Sequence, residues 1–158
     1  VKAAETAGVK LVVYTSMPKA ETSAVLFAPD HAGTEKAIAA SKIPNQIILR
    51  NNWYFENLFM AIPPALKSGT QYTAAGKGKI AYIWRDDLAH AAAGALASGK
   101  IGKATYTLSG SKSYTTAEIA SLVSKATGKP IAVVDVPVEG LIAGMVGAGQ
   151  RRAERTTW

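Results

Sequence analysis

A chain of 158 residues, 48% hydrophobic and only 18% charged, is long enough for one globular domain and excludes a disordered segment. The absence of cysteine excludes a disulfide framework, a thiolate zinc site and a cysteine nucleophile. The formal net charge of +7 raises the question of nucleic acid, but the lysines are scattered over separate elements, which describes a solvated surface, and only "RRAER" at 151–155 is a true cluster.

In chain order, "VKAAETAG" reads as the end of a helix capped at Gly8. "VKLVVYTS" is a run of β-branched and apolar residues with little alternation, which predicts a parallel strand buried on both faces. Residues 17–28 read as a loop, and Pro29-Asp30 opens a helix to about Lys42. "NQIILR" at 45–50 predicts a second buried strand. "WYFENLFMAIPPALKSG" predicts a helix interrupted at Pro63-Pro64.

"TQYTAAGKGKIAYIWR" predicts two short strands around Gly76-Lys77-Gly78. An Ala-rich helix follows, from near Asp86 to Gly99, and then the strand "KATYTLSG". Thr115-x-x-Glu118 is a capping-box pattern and opens a strong helix; "KPIAVVDVP" predicts the last strand. Strands alternating with helices give an α/β fold with a mainly parallel sheet. Ligands of such sheets bind at the carboxyl ends of the strands, here Thr15-Ser16, Asn51-Asn52-Trp53 and Trp84-Arg85. A chain that opens in the last turns of a helix is expected to be the later part of a larger doubly wound domain.

Three patterns lack what their chemistry needs. Asp30, His31 and Glu35 make a thin metal set with only His90 to support it, so no metal is expected. No Gly-x-Ser-x-Gly elbow is present for a serine hydrolase. Gly140, Gly144, Gly147 and Gly149 do not fit Gly-x-Gly-x-x-Gly and read as a small-residue packing segment.

The segments "AGVKLVVYTSM", "HAGTEKAIAASKIPNQIILRNNWYFEN", "AAGKGKIAYIWRDDLAHAAAGAL" and "YTLSGSKSYTTAEIASLVSKATGK" resemble the NmrA-like branch of the atypical short-chain dehydrogenase/reductases. Within it the resemblance is to the bacterial NAD(P)H:quinone oxidoreductases, with their strand-end "LRN-x-WY-x-EN", and it runs from about residue 1 to about residue 140. It implies a Rossmann-like domain with a small C-terminal substrate-side subdomain. Family members hold the cofactor pyrophosphate on a Gly-x-x-Gly-x-x-Gly turn at a helix N-terminus. That turn is absent here. Residues 1–144 are therefore expected to form a partial NAD(P)-binding domain lacking the N-terminal βαβ phosphate-binding unit, with 145–158 as an irregular basic tail.

The resemblance also implies site residues. The wider superfamily sets a catalytic tyrosine and, four residues on, a lysine in the helix after the first strand. Here that spacing holds His31 and Glu35, about 40° apart around the helix, while Lys36 lies about 140° from His31. His31 is then a proton donor or a substrate-side group; the alternative is a surface histidine paired with Glu35 or Asp30. Thr15 and Ser16 end the first strand, within reach of the nicotinamide ribose or of nearby backbone. Asn52 faces a carboxamide. Trp53, Tyr54 and Phe55 offer flat faces for a nicotinamide or quinone, or else fill the core. Glu56 and Asn57 orient the turn. Arg85 lies near the cofactor, or pairs with Asp86 or Asp87.

The function so implied is an NAD(P)H-dependent oxidoreductase that passes hydride to a quinone-type acceptor or another small electron acceptor. NADPH is favoured over NADH by the resemblance and the positive charge. The alternative is a non-catalytic NAD(P)-binding redox sensor, which would need no tyrosine–lysine pair. A cytoplasmic location is expected, with no membrane span and no nucleic-acid partner. An unpaired sheet edge would invite homo-oligomers. The 158 residues alone are expected to show weak activity or none.

Overall fold

Strand β2 organises the fold, because "QIILR" is apolar enough to be covered on both faces and carries a pairing strand on each side. The computed structural model describes residues 1–147 and 149. The elements are α1 (Lys2–Thr6), β1 (Leu11–Ser16), α2 (Ala28–Ala40), β2 (Asn45–Asn51), a 3-10 turn (Phe55–Asn57), α3 (Leu58–Ser68), β3 (Thr70–Thr73), α4 (Arg85–Ala97), β4 (Lys103–Leu108), α5 (Thr116–Thr127), β5 (Ala132–Asp135) and α6 (Val138–Gly147). They form two units: Val1–Tyr54 with Tyr82–Ser111, and Phe55–Ala81 with the described chain from Lys112 onward.

The first unit is a parallel sheet in the order β1-β2-β4. Val13 lies beside Ile47 and Ser16 beside Arg50; on the other side Ile48 lies beside Thr105 and Asn51 beside Leu108. Helix α2 packs on β2, and α4 packs on β1 and β2. Ile47 (1% exposed) and Ile38 of α2 (2%) are the deepest large side chains of the core. Each such burial stabilises the unit by about 1.5–3 kcal/mol. The expectation of two buried faces is met by β2 but not by β1, which is mostly half-buried, with Thr15 exposed. The reason is position: among the described residues β1 pairs on one side only. Helix α2 stops at Ala40, short of Lys42, because Ser41 turns extended and its hydroxyl donates back to the Ile38 carbonyl at 2.7 Å.

The second unit holds the parallel pair β3–β5, with α3 against β3 and α5 against β5. The capping box forms as the sequence predicts. The Thr115 hydroxyl accepts from the Glu118 amide at 3.1 Å, and the Glu118 carboxylate accepts from the Thr115 amide at 2.7 Å. Three expectations are corrected. Helix α3 runs through Pro63 and Pro64 without a break. The prolines lie one turn after Phe59 and Met60, on an exposed stretch of the helix. No second strand follows Gly78: Ile80 makes a single bridge to Tyr114 and Ile83 a single bridge to Tyr54, so each end of the stretch meets a different partner. The chain from Val138 to Gly147 is helical, so the expected irregular tail does not begin at 145; its Arg-rich part at 151–155 lies outside the described residues. Among the described residues no helix is long and apolar enough to cross a membrane.

Candidate functional site at the carboxyl ends of β1 and β2

Parallel register brings the last residues of β1 and β2 side by side, with Ser16 beside Arg50 and Asn51 one step further. Ser16 and Asn51 are 4% and 8% exposed. Ser16 Oγ and Asn51 Oδ1 are buried with no hydrogen-bond partner. Leaving such atoms unpaired costs about 1–3 kcal/mol each; the register that sets Ser16 beside Arg50 puts Asn51 on the opposite sheet face, so the two share only the carboxyl edge of the sheet.

Helix α2 supplies the charged part of the site. Glu35 receives Arg50 through two parallel bonds, Nε to Oε1 at 3.0 Å and Nη2 to Oε2 at 2.5 Å. This fork matches guanidinium to carboxylate geometry. It holds the Glu35 carboxyl below the usual carboxylate range; burial opposes it. The same bond raises Arg50 further. His31 is joined instead to Tyr14, whose hydroxyl lies 2.8 Å from Nδ1, and Phe27 stands edge-on to the imidazole at 5.9 Å between centroids. The expected alternative for His31, a pairing with Glu35 or Asp30, is thus replaced by a tyrosine partner.

The other sequence-selected residues fall into separate roles. Thr15 is exposed while Ser16 is buried, as strand alternation requires, so the two hydroxyls do not work together. Asn52 uses Oδ1 to accept from the Trp53 amide at 2.9 Å, and its own amide donates to the Leu108 carbonyl at 2.9 Å. This turn leaves Trp53 45% exposed, with its carbonyl accepting from the Ile83 amide. The Arg85 guanidinium, at the start of α4, sits 5.6 Å above the Tyr54 ring. Phe55, Glu56 and Asn57 form the 3-10 turn that opens the second unit. Among the described residues no cluster of metal-ligating side chains occurs.

Sequence reasoning missed Tyr14 and Arg50 as site residues. Both carried a signal. Tyr14 stands two positions before Ser16, hence on the same strand face, and Arg50 is the one charged residue of β2.

A parallel sheet with a polar site at its carboxyl edge defines a Rossmann-like α/β reductase fold. Among known proteins, quinone oxidoreductase 2 of Escherichia coli (strain K12) is 38% identical over 150 residues, covering 94% of this chain and 52% of that protein. The crystal structure of an NADPH-dependent quinone oxidoreductase from Escherichia coli, complexed with NADPH, matches with a TM-score of 0.88 over 95% of this chain and 53% of its own, also at 38% identity. Citrobacter sp. triphenylmethane reductase, complexed with NADP(H), matches with a TM-score of 0.81 at 35% identity over 95% and 53%. No family model matches the chain. The chain spans about half the length of the relatives it matches. The resemblance read in the sequence, to NmrA-like reductases and the bacterial quinone oxidoreductases among them, is shown by these matches.

Proposed function

We propose that this chain is part of an NADPH-dependent oxidoreductase that reduces a quinone-type acceptor. The observation that carries the reading is that Ser16 Oγ and Asn51 Oδ1, buried and unpartnered, end neighbouring parallel strands on opposite faces, where a ligand lying across the carboxyl edge would meet both. Their chemistry fits a nicotinamide riboside, which offers hydroxyls and an amide to a hydroxyl and an amide oxygen. The similarity to reductases solved with NADPH or NADP(H) supports the same cofactor.

In this reading Ser16 and Asn51 bind the nicotinamide end. Asn52 holds the turn that presents Trp53, whose exposed ring offers a flat apolar face. Arg85, set over Tyr54, supplies a fixed positive charge beside that turn. Thr15, Phe55, Glu56 and Asn57 are assigned to the cofactor by the family resemblance alone. When bound, the reduced nicotinamide supplies the hydride. His31 supplies the proton. Carbonyl reduction to an alcohol needs a strong acid partner for the developing alkoxide, whereas a reduced quinone leaves a stabilised aryl oxide that a weak acid can protonate. A site without a tyrosine–lysine pair therefore suits a quinone better than a simple ketone. A cytoplasmic location and self-association through the open edge of β1 belong to the same proposal.

The test is a titration of the 158-residue protein with NADPH, followed by bound-cofactor fluorescence, and then addition of a simple quinone. Binding that weakens about tenfold in Ser16→Ala and in Asn51→Ala supports the site. Unchanged binding in both variants overturns it. Binding without turnover favours the non-catalytic sensor.

A further inference from the structure

Glu35 and His31 share one helix face, yet they have different partners. Both carboxylate oxygens of Glu35 are taken by Arg50. That leaves His31 with a neutral partner, the Tyr14 hydroxyl at 2.8 Å from Nδ1. Tyr14 comes from the middle of β1 and His31 from the first turns of α2, so the contact is tertiary and held by two packed elements. A phenol is a far better hydrogen-bond donor than a neutral imidazole N–H, and Nδ1 has a lone pair to accept it. With the phenol as donor, Nδ1 accepts and the ring proton belongs on Nε2.

We propose that Tyr14 is a positioning residue that fixes His31 as the Nε2–H tautomer and stands behind it as a reserve acid. The proposal rests on the quinone-reductase reading for its reaction. A neutral imidazole gives up its Nε2 proton only if Nδ1 is refilled. Here, as the Nε2–H bond breaks toward the oxyanion of the reduced acceptor, the Tyr14 O–H proton passes to Nδ1. One O–H bond forms on the acceptor and one N–H bond on Nδ1; one N–H and one O–H break. Tyr14 is left as phenolate. It then recovers its proton from Nδ1 while water protonates Nε2, so the net proton comes from water. The oxygens at the two ends of this relay are both phenolic, so the transfer is close to thermoneutral. No group with the pKa of a catalytic lysine is needed.

The deciding measurement is long-range proton–nitrogen correlation of the uniformly nitrogen-15-labelled chain. His31 and His90 are the only histidines, so His90→Gln leaves a single imidazole to read. The expected spectrum shows Nδ1 as a bare acceptor nitrogen and Nε2 as a protonated one. Tyr14→Phe keeps the ring and its packing, and is expected to give a mixture of tautomers. With NADPH and a simple quinone, it is expected to lower kcat about tenfold with little change in the quinone KM. A native spectrum with the proton on Nδ1, or a tautomer unchanged in Tyr14→Phe, overturns the proposal, as does an unchanged kcat in an active protein. Lack of turnover in the native chain leaves the tautomer test deciding, because the tautomer is read without cofactor.

Discussion

Glu35 and Arg50 form the one buried-side ion pair described in the first unit, and its sign with pH follows from the bond. Glu35 titrates below its ordinary 4.5 in the folded state because Arg50 holds it ionised. The stability it contributes is therefore fully present above about pH 4.5 and is lost as pH falls toward its folded value. Arg50 is one-third exposed, which screens part of the gain, so Glu35→Gln is expected to destabilise the protein at pH 7 by about 1–2 kcal/mol. Denaturant unfolding at pH 7 and at pH 3.5, values chosen to bracket the titration at about one unit below the ordinary carboxylate value, checks this. The native chain should lose more stability between them than the glutamine variant. At this scale the sequence placed His31 and Glu35 on a common face, and that spacing is local helix geometry. Their partners were not readable, because Tyr14 and Arg50 reach them through β1–β2 pairing and helix-on-sheet packing.

At the scale of elements, the strongest local signals became the best-formed structure. The capping box at Thr115 and Glu118 needs only residues three apart, and it formed in full. Thr115→Ala is expected to lower stability by about 1 kcal/mol, measured by the shift of a denaturant midpoint. Helix α3 ends on Gly69 at φ +73, where a Cβ would meet nothing nearer than the Pro130 carbonyl at 3.9 Å. Gly69→Ala should thus cost only backbone strain, about 1–2 kcal/mol. Hydrogen exchange should be slowest in β2, which has a partner on both edges and four consecutive buried residues. What the sequence could not place had a non-local cause. The prolines of α3 are tolerated on an exposed stretch of the helix, which packing and not local sequence decides. Ile80 and Ile83 bridge to residues far along the chain, and α6 forms without an amphipathic pattern to announce it.

At the scale of the molecule, net charge and fold class were both legible from composition and alternation. The strand ends to watch were also legible, because the carboxyl-edge rule needs only the order of elements. The two-unit division was not, since it depends on which distant segments pair. A charge of +7 predicts that NADPH binding weakens steadily with added salt, as screening shortens the range of the positive field. Fluorescence titrations at low and high ionic strength measure this; salt-independent affinity would show that the scattered lysines play no part in capture.

The interleaving of the two units also governs how the chain is made. It passes from one unit to the other after Tyr54, after Ala81 and after Ser111. On a ribosome, β1 and β2 can pair as soon as Asn51 has emerged, but the second flank of β2 is missing until β4 arrives at Lys103. At about 5–20 residues per second, that interval lasts roughly 3–10 seconds. During it the nascent chain carries an apolar strand with an open side, the condition in which chaperones engage. Slow codons translated between the emergence of Asn51 and that of Leu108 would lengthen this window, and those translated outside it would leave it unchanged.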